Sequence, residues 1–188
     1  LQKNFTDYFL VASGTSFTAL EGHEGLVGND VSRGLQGHWK FDELTGIIAY
    51  DFSRNHNSGF LEKGVNATVL PVRDGEASCK IGQCMRFNGG VNGLSGSTGA
   101  GNWIRVPYNS ALDISGTALT LVSWIYPRSY PYSSTDYAGL ITHNGNGTSY
   151  GYRTLLNSTG KVIFKLTNTS LVSSGVLPLN KWSFVVAV

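Results

Sequence analysis

The sequence predicts an all-β chain folded as an antiparallel sandwich, and three observations predict it. No apolar face recurs at i, i+3, i+4 and i+7 over successive turns, the mark of an amphipathic helix. Short strand-like apolar runs recur instead, several of them alternating with period two. Turn-forming residues punctuate those runs at Asn88-Gly-Gly90, Asn144-Gly145, Asn146-Gly147 and Ser158-Thr-Gly160. Many short strands with such turns and no helices indicate a sandwich or a barrel.

Residues 1–33 fit neither the strand rhythm nor a clean linker, and they read as an upstream arm ahead of a sandwich over 34–188. Gly37-His-Trp-Lys-Phe41 and Ile47-Ile-Ala-Tyr50 are the first strand candidates, and Cys84-Met-Arg-Phe87 follows. Gly89 to Asn102 is a Gly/Ser loop leading into Trp103-Ile-Arg-Val106. Leu119 to Tyr126 is apolar on both alternating faces, as a strand covered on both sides would be. Lys161 to Leu166 alternates, with Val162, Phe164 and Leu166 on one face. The last run places Trp182, Phe184, Val186 and Val188 on one face, and Ser183, Val185 and Ala187 on the other. Trp39, Trp124 and Trp182 lie in such patterns and read as core or sheet-face residues; Trp103 follows the Gly-rich loop. Because this run ends inside a strand, the expectation is a sandwich lacking its C-terminal strands, or one whose next strand comes from elsewhere.

Composition narrows the function classes. The chain has 188 residues, of which 41% are apolar, 14% are charged and 24 are glycine, with a net charge of +2. Apolar content this high with so little net charge excludes disorder as the default. A dedicated nucleic-acid binder would need a basic stripe. No apolar stretch approaches the roughly 18 residues of a membrane helix. Cys79 and Cys84 lie five apart, so a disulfide between them requires a turn at Lys80-Ile-Gly-Gln83, which Gly82 permits; the alternative is two free thiols. No second Cys or His pair completes a zinc pattern. Five glycosylation sequons occur, at Asn4, Asn66, Asn146, Asn157 and Asn168, and they favour an extracellular or cell-surface location.

The run Gly34-Leu-Gln-Gly-His-Trp-Lys-Phe-Asp-Glu-Leu-Thr-Gly46, followed by Ala49-Tyr-Asp-Phe-Ser-Arg-Asn-His-Asn-Ser-Gly-Phe60, resembles the opening of laminin G-like domains of the concanavalin A-like lectin/glucanase superfamily. The likeness continues through Cys79 to Gly89, Trp103 to Pro107, Leu112 to Gly116, Leu119 to Pro127 and Trp182 to Val188, in the family's order. The resemblance implies a two-sheet antiparallel jelly roll. It also implies several further strands after the Trp182 run. Many relatives bind calcium. The family commonly has Asp where this chain has Asn88.

Candidate chemistry follows from the residues and the resemblance together. Glycoside hydrolysis needs two carboxylates about 5 to 10 Å apart. Catalytic relatives carry Glu-x-Asp-x-x-Glu on one strand, and that spacing is absent. Asp42 and Glu43 are adjacent, so on a strand they point opposite ways, and no Asp or Glu follows Asp136. No Gly-x-Ser-x-Gly elbow occurs, and His23, His38, His56 and His143 are scattered. The expectation is therefore a chain that is not an enzyme. Asp51, Asn55 and Asn57 share one loop and offer oxygen ligands for Ca2+, with Asn88 as a fourth if the fold brings it near; the alternative is that Asp51 and Ser53 cap turns. Arg128, Tyr130, Tyr132 and Tyr137 form an aromatic loop, joined by Tyr150 and Tyr152, with the makings of a sugar or protein contact. The alternative there is tyrosines packed on the sandwich edge. The function expected is a recognition module that binds a glycan or an extracellular protein. The rival is a structural subunit of a surface filament, completed by a neighbour's strand, with Phe5, Tyr8, Phe9 and Val11 of the arm as a donor. A laminarinase-type hydrolase is disfavoured.

Overall fold

A computed structural model describes residues 10–12, 34–89, 101–113, 118–143, 151–167 and 169–188. Among them are thirteen strands and two short 3-10 turns, with no α-helix. In chain order the strands are β1 (Leu10–Ala12), β2 (Leu35–His38), β3 (Ile48–Ala49), β4 (Gly59–Lys63), β5 (Val72–Asp74), β6 (Cys84–Arg86), β7 (Asn102–Arg105), β8 (Thr120–Ile125), β9 (Tyr137–His143), β10 (Tyr152–Asn157), β11 (Val162–Leu166), β12 (Thr169–Val172) and β13 (Ser183–Ala187). Every strand pairing is antiparallel. The hydrogen-bonded groups run β13-β8-β1-β2, β12-β11-β10-β9, β3-β4-β7 and β5-β6.

These groups close on one core. Trp39, Ala49, Leu61, Leu112, Leu119, Leu121, Tyr152 and Ala187 pack together, with half-buried Met85 of β6 against them, so all four groups contribute to it. Leu121 is only 1% exposed, in the strand whose two faces are both apolar. Gly59 lets β7 approach β4, because a Cβ there would run into Ile104 Cγ2. The first predicted strand runs Leu35–His38 and ends in a Trp39–Asp51 bridge. It goes no further because Phe41 takes a left-handed φ of 63°.

Leu10–Ala12, within the stretch read as an upstream arm, pairs with β2 on one side and β8 on the other. Phe5, Tyr8 and Phe9 lie outside the described residues, and only the backbone of Val11 is described. In β13, Val185 and Ala187 turn inward, opposite Ser123 and Leu121. Phe184, Val186 and Val188 turn outward and are half or more exposed. The more apolar face of this strand is therefore the outer one. Cys79 and Cys84 form a disulfide, and the turn between them uses Gly82 at φ 55°. Closing so short a loop contributes roughly 2 kcal/mol by the chain-entropy estimate.

Candidate functional site

The loop between β3 and β4 is organised by Asp51, which is buried. Its Oδ1 accepts the backbone N–H groups of His38 (2.7 Å) and Ser53 (2.8 Å). Its Oδ2 accepts the Ser53 hydroxyl (2.6 Å) and the Asn57 N–H (2.7 Å). A carboxylate offers about four acceptor sites, and all four are in use. Asn57 is buried too; its amide donates to the Gln36 carbonyl at 3.0 Å and accepts from Asn109 Nδ2 at 2.7 Å. Asn55 donates to the Gln36 carbonyl and side chain at 3.2 and 3.0 Å. The Trp39 indole N–H donates to the Asn57 carbonyl at 2.9 Å. The Asp-x-Ser-x-Asn-x-Asn loop thus ties β2, the core tryptophan and the turn at Asn109 together.

Asn88 is not part of this cluster. Its N–H donates to Asn102 Oδ1 at 2.9 Å, and Asn102 pairs with Lys63 at the far end of β4. Gly59, two residues after Asn57, lies four strand steps from Lys63, roughly 13 Å away. As arranged, these residues do not fit a calcium ion: a cation at Asp51 would have to displace donors already seated on both oxygens. Among the described residues no three His, Cys, Asp or Glu side chains converge as metal ligands.

The tyrosines divide. Tyr130 donates its hydroxyl to the Leu177 carbonyl at 2.5 Å and lays its ring over Gly160, where a Cβ would meet Cζ at 2.6 Å. It packs on the sandwich edge. Tyr152 lies in β10, not a loop, and is 2% exposed. It stacks on His143 at 5.0 Å, and burial first, then the Asp113 charge, pushes its hydroxyl pKa up to about 12. Asp113 accepts from Tyr108 at 2.7 Å and meets His143 Nε2 at 2.9 Å; these two bonds hold its carboxyl below the ordinary value. Tyr132 and Tyr137 are exposed, with Lys165 near the Tyr137 ring at 5.9 Å. Tyr150 lies outside the described residues. Among the described ones, Tyr130 and Tyr152 are taken up by packing, whereas Tyr132 and Tyr137 stand open.

The other sequence candidates are also placed. Asn66 stands in an exposed turn after β4. Asn157 closes the β10–β11 hairpin, its Oδ1 accepting from Thr159 N, Thr159 Oγ1 and Lys161 N at 2.9 to 3.0 Å. Asn4, Asn146 and Asn168 lie outside the described residues.

A groove the sequence did not reveal opens beside the disulfide. It is an open surface groove of about 560 Å3, lined by Ala77, Ser78 and Cys79 of the disulfide turn, Tyr126 and Arg128 after β8, and Asn180 and Trp182 before β13. The ladder builds it. Ile125 pairs with Ser183, so Tyr126 and Trp182 face each other one step on, with ring centroids 5.5 Å apart. The Asn180 N–H donates to the Pro127 carbonyl at 2.8 Å, with Asn180 in a left-handed conformation that asparagine tolerates better than most residues. Lys80 sits 5.0 Å from the Trp124 ring and pins the disulfide turn to this face. Arg128 lies 3.7 Å from Asp74, beyond hydrogen-bond length, and is more than half exposed. The signal for this site was the pair of aromatics at two strand ends, readable only once their pairing is known.

Residues 98–188 match the model of a laminin G-like family described as the concanavalin A-like lectin/glucanases superfamily. The match spans β7 to β13 and includes the groove's Tyr126, Arg128, Asn180 and Trp182; the Gly34 to Phe60 motif lies outside it. No curated protein and no solved structure matches the chain. No helix among the described residues is long and apolar enough to cross a membrane.

Proposed function

We propose, from the laminin G-like character that residues 98–188 share with the concanavalin A-like superfamily, that this chain is a non-catalytic recognition module of an extracellular or cell-surface protein, binding a glycan or a protein partner. The observation that carries the reading is the contrast between spent carboxylates and open aromatics. Asp51 is saturated, Glu43 holds Arg73, Glu62 holds Arg105, and Asp113 holds Tyr108 and His143. Tyr126 and Trp182 instead line an open surface groove. The disulfide supports an oxidising compartment. Screening the 188-residue chain on a glycan array and against extracellular proteins tests the reading. Retention of a ligand without release of reducing ends is expected; turnover of a bound oligosaccharide would contradict it.

A second reading has its own observation. β13 pairs only with β8, and among the described residues no strand covers its other edge, beside outward Phe184 and Val186. A neighbouring subunit's strand would pair there, making the chain a filament subunit. A melting point that rises with protein concentration supports this; one that is independent of concentration contradicts it.

A further inference from the structure

We infer that Asn66 carries an N-linked oligosaccharide whose first sugar lies over an apolar groove beside β4. The inference goes beyond the recognition reading; it rests on the extracellular placing in that reading and on no ligand.

The turn that presents Asn66 is fixed. Asn66-Ala-Thr68 is a sequon, and Asn66 and Thr68 are both exposed. The Ala67 N–H donates to the Gly64 carbonyl at 3.0 Å, which makes residues 64–67 a β-turn with Asn66 third in it. The Gly64 N–H donates to the Gly101 carbonyl at 2.9 Å. Lys63 Nζ donates to the Ala67 and Thr68 carbonyls at 3.0 and 3.3 Å. The acceptor asparagine therefore stands on a turn tied down on both sides. The sequon at Asn157 has another account, because that side chain closes its own hairpin.

What lies beside the turn gives the second observation. An open groove begins at Thr68, at most about 7 Å of chain from Asn66. Buried Leu61 and Pro71 line it together with exposed Ile47, Val69 and Leu70. Val65, next to Asn66, is 93% exposed. The two cations of the groove are already engaged, Lys63 with the turn carbonyls and Arg73 with Glu43 at 2.8 Å and the Ile48 carbonyl at 2.7 Å. The surface left open is apolar and uncharged. Contiguous apolar surface of this kind marks a place that something covers. A pyranose has C–H groups on its faces and hydroxyls at its rim, and an N-acetyl group adds a methyl. The first sugar on Asn66 thus buries apolar area below while its hydroxyls stay in water.

The sugar comes from a lipid-linked oligosaccharyl diphosphate. The bond from Asn66 Nδ2 to the sugar C1 forms, the C1–O bond to the diphosphate breaks, and one amide proton leaves as the diphosphate departs.

The test secretes the 188-residue chain from eukaryotic cells. Peptide N-glycosidase in heavy-oxygen water then marks each carrier asparagine by mass, and Asn66 should be marked. Complete removal of the glycan should lower the melting temperature by about 2 °C or more and raise the fluorescence of an apolar dye about twofold. Trimming to the first sugar alone should change neither. Thr68→Ala, which ends the sequon, should resemble the stripped chain, and Thr68→Ser, which keeps it, the wild type. In the Val69→Ser, Leu70→Ser variant the apolar surface is reduced, so glycan removal should raise dye fluorescence far less. Both residues are partly exposed, so this variant should fold; Ile47→Ser, at a more exposed position, repeats the reading if it does not. An unmarked Asn66 overturns the inference. So does a marked Asn66 whose glycan is removed without change in dye fluorescence and melting, or with the same change in the groove variants. These results leave the recognition role to the ligand screen, which decides it independently.

Discussion

The Asp51 loop and the Tyr126–Trp182 groove are both polar-rich surface features, yet they are built in opposite ways. In the loop, every acceptor site of the carboxylate already has a protein donor, and Asn57 is satisfied on both sides of its amide. In the groove, two aromatic rings stand partly open beside an arginine whose ion pair with Asp74 is too long for a hydrogen bond. The difference teaches where specificity can reside. Groups whose bonds are all internal hold the fold; groups held in place but not consumed are left to meet a ligand.

Substitution tests that contrast most strongly. Asp51→Ala leaves three buried backbone N–H groups without that acceptor and turns the Ser53 hydroxyl to the Gln36 carbonyl, and it should destabilise the chain by about 3 kcal/mol or more in denaturant titration. Arg128→Gln, by the same measurement, should stay within about 0.5 kcal/mol. Equal losses would erase the distinction between the two regions.

Alkaline pH probes the buried side of the same half. The Tyr152 pKa is raised from 10.0 to about 12, so the native state holds that proton more tightly than the unfolded chain. Its contribution is fully present below pH 10 and is lost as pH rises from 10 through 12, about 2 to 3 kcal/mol in all. Tyr152→Phe should remove that limb from a plot of stability against pH. A wild-type curve parallel to the variant's would contradict the assignment.

The disulfide comes next. Replacing Cys79 and Cys84 together by Ser should cost about 2 kcal/mol and loosen the groove wall that carries Ser78. The smallest effect concerns calcium. With the Asp51 oxygens filled, melting temperatures in excess calcium and in chelator should coincide; a clear rise with calcium would show that the loop opens to take the ion.

Parts of this were legible in the sequence because they depend on local pattern. The β8 strand showed through its two apolar faces, the disulfide through the need for a left-handed turn that Gly82 supplies, and the core position of Trp39 through the run around it. What escaped depends on distant partners. Tyr152 reads like a loop tyrosine until His143 and its own strand bury it. The alternation of β13 reveals two faces, but Leu121 and Ser123 of β8 decide that the less apolar one goes inside. The groove exists only because the ladder sets Tyr126 opposite Trp182 and the disulfide turn folds against both. Asn88 joined the calcium set on family likeness, and β4 keeps it at the other end.

The most direct measurement is an amide and indole NMR titration of the 15N-labelled chain with a glycan or protein ligand retained in the screen, Trp182 being assigned through Trp182→Phe. The account predicts that the Trp182 indole and the Asn180 and Arg128 amides shift with ligand, while the Ser53 and Asn57 amides stay in place. Shifts at Ser53 and Asn57 with a silent Trp182 would contradict it, placing recognition in the loop and structure in the groove.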